Sequence, residues 1–362
     1  MKKKVAIVGT NGIPAQYGGF ETLVENITLY LSNSYDFKIY CSKTQNSRIP
    51  YFNNSRLVYV PLKANGWQSI IYDIITLCNA AVTSDIILYL GPGAGFILPI
   101  INIFGKKTII NHGGLNEWER KKYSKLERFI AKLGHKIGSR YALHNITDNF
   151  VLRQSILKSF KMDSHVIRYG GNHSTKVILN NILIEKYPFL KYEYYVNVSR
   201  AQIDNNLHIV LDAFKHNKER NLVMVSNWNI SDYGRTLKDE YHNKYSNIIL
   251  LNAIYDKSEI NTIRGNAIAY IHSHSYCGTS PSLVEAMSLG LPIISFDVPT
   301  NHETTHDKAI YFKNSLELNE ILNTLSKDKL LELSKTMKNI AEKEYTWEKI
   351  AKQYSELIVD NY

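Results

Sequence analysis

The chain has 362 residues, of which 44% are hydrophobic, and it carries a formal net charge of +10. This length can bury two ordinary α/β cores, so we expect two domains. No apolar run is long enough to span a membrane, and the lysines at positions 2 to 4 lead into an apolar strand rather than a signal sequence, so we expect a cytoplasmic protein.

The three cysteines, Cys41, Cys78 and Cys277, lie far apart, in or beside apolar segments. This placement is typical of buried thiols and does not fit a disulfide framework or a zinc site. We therefore expect no metal ligation by cysteine.

The first half of the chain alternates apolar strands with helical or loop-like segments. The run Val5–Gly9 precedes a helix from about Glu21 to Leu31 with one apolar face. Further apolar runs lie at Phe37–Cys41, Leu57–Val60, Asp85–Leu90, Lys107–Asn111, Asn145–Thr147 and His165–Ile167. The alternation predicts a parallel sheet. A dinucleotide site is disfavoured, because the G-x-G-x-x-G spacing and the acidic residue that would bind a ribose are both missing.

Glycine-containing turns follow several of these strands. Gly18 and Gly19 precede the first helix, where main-chain amides can approach a ligand, although a turn that needs positive φ explains the pair equally well. Residues 91–95 read GPGAG, and turns at such strand ends converge on the ligand crevice of an open parallel sheet. Asn111 and His112 follow another strand. His112 could transfer a proton or bind a hydroxyl, with a satisfied structural histidine as the alternative.

Residues 118–140 predict a basic amphipathic helix. Between positions 117 and 140 there are eight lysines and arginines against three glutamates. Apolar residues recur at helical spacing, at Leu126, Phe129, Ile130, Leu133 and Ile137. Two interpretations remain open, a surface helix with a solvated basic face and a segment attracted to anionic lipid or to a polyanionic acceptor.

A polar segment at 172–186 shows no clear periodicity and predicts an interdomain connection. A second alternating series then begins, with apolar runs at Tyr194–Ser199, Leu222–Ser226, Ile248–Leu251, Ala267–Ile271, Pro292–Phe296 and Ala309–Phe312. Arg200 stands directly after the first of these strands. There an arginine can clamp a diphosphate and neutralise it as it departs, whereas a surface ion pair is the alternative.

The segment 272–290 predicts a turn and a short helix between two strands. Ser280 followed by Pro281 is a helix start, and Gly290 is a helix stop. The amide-rich start of a helix just past a strand end attracts anions, above all a nucleotide diphosphate, although an ordinary βαβ unit gives the same pattern.

Glu285 has two interpretations. Ser282-x-x-Glu285 matches a capping box, in which the glutamate would only satisfy the helix start. A start at Ser280-Pro281 instead places Glu285 in the second turn, where it is free to accept hydrogen bonds from sugar or ribose hydroxyls.

Taken together, these segments resemble a known family. The strings VAIVGTNGIPAQYGGFETLVEN and HSHSYCGTSPSLVEAM, the Arg200 strand end and the C-terminal YTWEKIAKQY resemble the retaining family 4 glycosyltransferases of the GT-B fold. More narrowly, they resemble the bacterial rhamnosyltransferase-type branch, which acts in the biosynthesis of capsule, O-antigen and other cell-surface polysaccharides. The resemblance covers nearly the whole chain, and GIPAQYGGFET is its most specific part.

The resemblance implies an α/β fold of GT-B type, with two Rossmann-like domains whose parallel sheets face each other across a cleft. Residues 1–170 would form the acceptor domain, and residues 171–344 the nucleotide-sugar donor domain. The C-terminal helix, 345–362, would cross back to complete the first domain through an apolar stripe of Trp347, Ile350, Ala351 and Tyr354.

The resemblance also implies a set of site residues. Arg200 would bind the donor diphosphate, Glu285 would hold the nucleotide ribose, and amides around Thr279 and Ser280 would face the phosphates. The residues expected in the donor site are Arg200, Asn205, His274, Gly278, Thr279, Ser280, Ser282 and Glu285. Those expected on the acceptor side or the cleft are Gly18, Gly19, Phe20, Asn111 and Trp118, and those expected in catalysis are Arg200, Glu285 and His112.

The chain departs from the family pattern at three places. Cys277 stands eight residues before Glu285, where the wider family has a glutamate, and Asn205 stands where a lysine is expected five residues after the arginine. Asn111-His112-Gly113-Gly114 replaces an Asn-x-Asp-Gly string. His112 or His274 could supply sugar contacts in place of the missing acids.

The function implied is transfer of a sugar from a nucleotide-diphospho-sugar to a lipid-linked glycan at the inner membrane face, with retention and without a metal. Rhamnose, carried as deoxythymidine-diphosphate rhamnose, is the leading donor by resemblance alone. Residues 118–140 would contact an anionic membrane surface, and no nucleic-acid partner is expected. The alternatives are a GT-B nucleotide-sugar epimerase, which needs no acceptor, and a non-catalytic nucleotide-sugar-binding protein.

Overall fold

The computed structural model describes residues 2–16, 18–44, 48–114 and 124–360. The chain divides into two units. Unit 1 comprises Met1–Tyr169 together with Trp347–Tyr362, and unit 2 comprises Gly170–Thr346. Assignment of the acceptor to one unit and of the donor to the other stays a prediction.

Unit 1 is built on a mainly parallel sheet. Its strands are β1 (Lys3–Val8), β2 (Tyr35–Ser42), β3 (Tyr51–Phe52), β4 (Ser55–Val60), β5 (Ile86–Leu90), β6 (Lys107–Asn111), β7 (His144–Thr147) and β8 (His165–Val166). Their order in the sheet is β3-β4-β2-β1-β5-β6-β7-β8, and only the β3–β4 pairing is antiparallel among the described strands. The first helices are α1 (Gly19–Leu31), α2 (Ser69–Thr83), α3 (Leu98–Ile103), α4 (Lys125–Tyr141) and α5 (Phe150–Phe160).

Unit 2 has a second parallel sheet. Its strands are β9 (Tyr195–Val198), β10 (Leu222–Ser226), β11 (Ile248–Asn252), β12 (Ala269–His272), β13 (Ile293–Phe296) and β14 (Ile310–Phe312), in the order β11-β10-β9-β12-β13-β14. Its helices are α6 (Asn181–Lys186), α7 (Leu207–His216), α8 (Asp232–Tyr241), α9 (Lys257–Gly265), α10 (Pro281–Ser288), α11 (Pro299–Thr305), α12 (Ser315–Thr324) and α13 (Lys327–Glu344). The predicted α/β class with two parallel sheets is confirmed.

The central strands of each sheet read as continuous apolar runs because helices cover both of their faces. Val5 to Val8 of β1 are fully buried, as are Leu222 to Met224 of β10. In such a strand every side chain meets a packed layer, so the alternation of polar and apolar residues disappears. These runs were therefore the simplest elements to predict from sequence.

The last helix, α14 (Trp347–Val359), packs on α1 within unit 1. Its buried residues include the predicted apolar stripe, Trp347, Ile350, Ala351 and Tyr354. Polar contacts fix it further, since Tyr30 Oη donates to Glu348 Oε1 at 2.7 Å and Asn111 Nδ2 donates to Tyr354 Oη at 2.7 Å. Helix α14 is thus hydrogen-bonded to the carboxyl end of β6.

The polar segment at 172–186 is not a bare connection, contrary to the prediction. It belongs to unit 2 and contains α6, whose start is capped by Asn180, with Leu183 N donating to Asn180 Oδ1 at 2.9 Å. No residue of α6 is buried. A helix without a buried face leaves no apolar periodicity in the sequence, which is why the pattern failed to reveal it.

Helix α4 buries a different face from the one that its apolar residues suggest. Leu126 and Phe129 are 68% and 63% exposed, while the buried positions of α4 are Gly134, His135, Gly138 and Ser139. The two glycines allow the turn at 91–95 to approach the helix axis. A Cβ on Gly95 would lie 2.4 Å from the carbonyl oxygen of Gly134. Close packing of glycine against glycine thus determines how α4 packs, while Leu126 and Phe129 remain at the surface and Ile130 and Ile137 are partly buried.

Gly95→Ala is expected to destabilise unit 1 by about 3 kcal/mol, because the new methyl group has to displace main-chain atoms of α4. Gly93→Ala, in the same turn, is the matched control, since its Cβ would meet the nearest atom at an ordinary 3.6 Å. Chemical denaturation of both variants measures the difference. Equal stability of the two variants would contradict the glycine-to-glycine contact.

Candidate functional site

The carboxyl ends of β9 and β12 are neighbours in unit 2, because the two strands pair in parallel. The first leads into Arg200 and the second into residues 273–280. Hydrogen bonds join the two loops. Ser273 Oγ donates to the carbonyl oxygen of Asn205 at 2.6 Å, and Asn206 Nδ2 donates to that of Ser273 at 3.0 Å. The structure therefore brings the predicted Arg200 loop and the predicted anion-binding turn to one edge of one sheet.

Arg200 has an exposed side chain on a firmly held backbone. Its carbonyl oxygen accepts from Asn205 Nδ2 at 2.8 Å, and Asn205 itself is buried in a 3₁₀ turn, Ile203–Asn205. The amide of Asn205, predicted to bind the donor, thus holds the arginine's main chain. A contact between Asn205 and the donor stays a prediction.

Helix α10 starts as the sequence predicts, with Ser280 at the N-cap and Pro281 at the first helical position. Ser280 makes no side-chain capping hydrogen bond, and its Oγ lies 3.2 Å from Ser282 Oγ instead. Gly278 and Thr279 are buried beside it. The first amides of α10 therefore lack the serine cap that would otherwise occupy them, which is the arrangement that anion-binding helix starts use.

Glu285 lies in the second turn of α10, as predicted, but its carboxylate already has protein partners. Its carboxylate forms an ion pair with Arg264 of α9 and lies 3.1 Å from His173 Nε2. Glu285 and Arg264 are only 15% and 4% exposed. Burial alone raises the pKa of Glu285, but the attraction of Arg264 and the hydrogen bond with His173 outweigh it and bring the pKa to about 2. Its role toward a ribose stays a prediction.

Neither partner of Glu285, Arg264 or His173, was predicted from the sequence. Arg264 also donates to Asn261 Oδ1 at 3.1 Å, which orients the guanidinium toward the glutamate. Arg264 and His173 belong to segments without a motif, and only the packing of α9 and the 170–176 segment against α10 brings them together.

A cluster of His272, His274 and Cys277 lies between β12 and α10. His272 Nε2 and Cys277 Sγ are 4.0 Å apart, and the rings of His272 and His274 have centroids 4.5 Å apart. His272 is fully buried, and burial lowers its pKa to about 3. From its place in the sequence, Cys277 is expected to be a buried thiol without a metal role, and in the structure it is partly buried. The spacing His-x-His-x-x-Cys was the signal that could have indicated the cluster.

In unit 1 the glycine pair opens α1. Gly18 has φ of 105°, and a Cβ there would lie 2.3 Å from Glu21 Oε2. Glu21 is buried and accepts from the amide of Asn11 at 2.8 Å and from Thr10 Oγ1 at 3.1 Å. Gly18 therefore lies in a turn that requires positive φ, and Glu21 bonds this turn to the residues that follow β1. This favours the turn, rather than contact with a ligand, as the reason for a glycine at position 18.

Phe20 and the turn after β6 also come together. A Cβ on Gly113 would lie 2.7 Å from Phe20 Cζ, so the ring packs directly on that glycine. Asn111 Oδ1 accepts from the amide of Gly113 at 2.9 Å. These contacts bring Phe20 and Asn111 into one group of loops, whereas Trp118 lies outside the described residues.

His112 is only 1% exposed, and both of its ring nitrogens are engaged. Nδ1 lies 2.9 Å from His135 Nδ1, and Nε2 lies 2.9 Å from Asn145 Oδ1. Burial and the neighbouring His135 lower its pKa to about 3, which makes it a poor proton acceptor at neutral pH. The structure favours a satisfied structural histidine over the predicted catalytic role.

Two family models match this chain, one in each half. Residues 2–172 match a family described as a domain of unknown function, DUF1972, and residues 181–344 match the family Glycosyl transferases group 1. No match was found among curated proteins.

Solved structures show the same fold over the full chain. Sucrose-phosphate synthase from Thermosynechococcus elongatus has a TM-score of 0.80 at 14% identity, covering 99% of this chain and 98% of that chain. Anabaena HepE in complex with UDP-glucose has a TM-score of 0.72 at 14% identity, covering 99% and 100%. An Escherichia coli protein bound with UDP-2-fluoro glucose has a TM-score of 0.72 at 10% identity, covering 98% of each chain. At these identities the likeness shows the fold, two Rossmann-like units of GT-B type.

Proposed function

We propose that this chain, a glycosyltransferase of the GT-B fold, transfers a sugar from a nucleotide-diphospho-sugar to a hydroxyl of a lipid-linked glycan. One observation carries the donor half of the proposal. The exposed Arg200 and the start of α10 follow two strands of unit 2 that pair in parallel. The side chain of Ser280, the N-cap of α10, makes no capping hydrogen bond. A cation and a row of main-chain amides at one sheet edge suit a diphosphate.

The proposed mechanism retains the configuration of the sugar and needs no metal. As the bond between the sugar and the diphosphate breaks, Arg200 and the amides of α10 stabilise the negative charge left on the nucleoside diphosphate. The acceptor oxygen attacks from the side of the departing phosphate, and a phosphate oxygen takes the acceptor's proton. The arrangement therefore requires no protein base, in keeping with the buried, fully engaged His112.

The donor's identity rests on resemblance. We take deoxythymidine-diphosphate rhamnose as the first candidate, and UDP-glucose as the second because HepE has been solved with it. A thermal-shift screen of nucleotide sugars against the purified chain tests this choice. A true donor, at a concentration one hundred times its Kd, is expected to raise the Tm of the protein by about 5 °C. The absence of any shift across the panel would contradict a preformed donor site.

Transfer has to be distinguished from two other activities. Conversion of the donor sugar in the absence of any acceptor would indicate an epimerase. Donor binding with neither transfer nor slow hydrolysis would indicate a binding protein. We expect acceptor-dependent release of the nucleoside diphosphate, with slow hydrolysis alone when no acceptor is present.

We also propose that unit 1 contacts an anionic membrane surface. Helices α3 and α4 pack together and carry exposed apolar side chains. These are Ile100, Ile103 and Phe104 at α3 and Leu126 and Phe129 on α4. Helix α4 also carries the basic residues Lys125, Lys132, Lys136 and Arg140. We refer to these residues as the basic apolar surface. Apolar side chains beside lysines are the chemistry of helices that lie in the lipid interface. In the described residues no helix is long and apolar enough to cross a bilayer.

Replacing Leu126 and Phe129 together by serine is expected to weaken binding to anionic vesicles at least about tenfold, because two inserted side chains are lost. Vesicle co-sedimentation measures the effect. The matched control replaces Leu316 and Leu331, exposed leucines of unit 2, by serine. Binding that responds equally to both double variants, or that is as tight on zwitterionic vesicles, would contradict the assignment.

A further inference from the structure

We propose that His272, His274 and Cys277 form a binding site for a zinc ion, and that zinc bound there inhibits sugar transfer. The proposal of a binding site depends only on the positions of these three side chains. Its inhibitory effect rests on the proposed function, because it concerns the loop that leads into the donor helix.

The three side chains already lie close to a zinc geometry. Their ligand atoms are all within 4.8 Å of one another. With bonds of about 2.0 Å to nitrogen and about 2.3 Å to sulfur, tetrahedral zinc holds its ligand atoms about 3.3 to 3.8 Å apart. Side-chain rotations that move these atoms by about 1 Å therefore complete the site.

His272 provides a second, independent indication of a ligand. It is fully buried, and its Nδ1 has no hydrogen-bond partner among the described residues. Buried polar atoms in folded proteins are almost always satisfied, so a buried imidazole with one orphan nitrogen, whose other nitrogen lies 4.0 Å from the Cys277 thiol, needs an explanation.

The main chain around His274 is held in place on both sides. Ser273 Oγ and Ser275 Oγ donate to the carbonyl oxygens of Asn205 and Asp204 at 2.6 and 2.8 Å. Asn301 Nδ2 donates to the carbonyl oxygen of His274 at 3.0 Å. Since the loop is already ordered, binding an ion costs little additional conformational entropy.

The donor set determines which ion the site selects. Two imidazoles and a thiolate suit zinc, whereas magnesium prefers oxygen ligands. On binding, the Cys277 thiol releases its proton to solvent and its sulfur bonds to the metal as a thiolate, while both imidazoles bind in the neutral form. Water takes the fourth position.

Zinc at this place would interfere with the donor. His274, which we expect to contact the donor sugar, would be occupied by the metal, and Cys277 lies three residues before the N-cap of α10. The same loop is bonded to the turn that holds Arg200. An ion would therefore hold residues 273–280 in one position and remove a sugar contact, which would slow transfer.

Cobalt is the probe for binding, because a cobalt–thiolate bond gives a charge-transfer absorption that zinc then abolishes by displacement. We expect the chelator-treated full chain to show this band at one equivalent of Co²⁺, and magnesium to leave it unchanged. Cys277→Ser should abolish the band. Cys78→Ser, at an exposed thiol of unit 1, is the control and should keep it. His274→Gln should weaken cobalt binding at least tenfold.

A band that persists in Cys277→Ser or disappears in Cys78→Ser would overturn the site, as would the lack of a band in the wild-type chain. Thermal melting of each metal-free variant verifies that it is folded. The inhibitory effect is read separately, as a zinc-dependent loss of transfer that Cys277→Ser relieves. Zinc binding without loss of transfer would overturn inhibition alone. A cobalt band in a chain that transfers no sugar would contradict the proposed function while supporting the site.

Discussion

Replacing Arg200 by alanine is expected to lower the kcat of sugar transfer by about 10³-fold and to leave the fold intact. The side chain is exposed, so its loss opens no cavity. Its backbone is held by Asn205 through the carbonyl oxygen, which the substitution does not remove. What is lost is a positive charge that stabilises the departing diphosphate, and removal of one such group typically costs about 10²- to 10³-fold. Steady-state transfer assays measure the effect.

The control for Arg200 is Arg235→Ala. Arg235 is also an exposed arginine of unit 2, and it forms an ion pair with Asp232 three residues away. Transfer by this variant should stay within about twofold of wild type, because an exposed pair contributes little. Arg200→Lys should recover part of the activity through its charge but not the bidentate geometry. Near-normal turnover by Arg200→Ala would remove this residue from the site.

Glu285→Gln is expected to reduce the free energy of unfolding by about 3 kcal/mol and to weaken donor binding. Arg264 is almost fully buried, and loss of its partner leaves an uncompensated charge in the interior. Because the folded-state pKa of Glu285 is depressed to about 2, the pair's stabilisation is complete above the ordinary value of 4.5. It is lost as the pH falls toward 2. The stability difference between wild type and variant should therefore shrink over that range.

A double variant separates the two roles of Glu285. Glu285→Gln combined with Arg264→Met removes both charges, and the stability should largely return, since an apolar side chain can replace a buried pair at little cost. Donor affinity should remain weak if the carboxylate binds the ribose. Recovery of donor affinity together with stability would show that Glu285 acts only through Arg264.

The sequence predicted those parts of the fold that local patterns encode. Apolar runs such as Val5–Gly9 located the strands, in this case β1, and Ser280-Pro281 located the start of α10. Residues 118–140 were correctly predicted as amphipathic where the structure describes them, but the helix's apolar residues were not its buried ones. That outcome depends on the close approach of Gly95 to Gly134, which no periodicity of α4 reveals.

The site was predictable to a similar extent. Arg200 and the start of α10 were found because a strand end and a helix start are local features. The partners of Glu285 and of His112 were not found, because they come from segments far apart in the chain. Arg264 and His173 contact Glu285 of α10. His135 and Asn145 contact His112, which follows β6. The cluster of His272, His274 and Cys277 was local enough to find, yet cysteine placement alone suggested an inert thiol.

The most direct test of the central claim is transfer by the purified full chain, with a nucleotide sugar and extracted lipid-linked bacterial glycans as acceptor. Mass spectrometry and NMR of the product measure what is transferred and with which configuration. We predict that the acceptor gains one sugar with retained configuration, that one nucleoside diphosphate is released for each sugar, and that Arg200→Ala forms almost no product. An inverted linkage, or a product formed from the donor alone, would contradict the account.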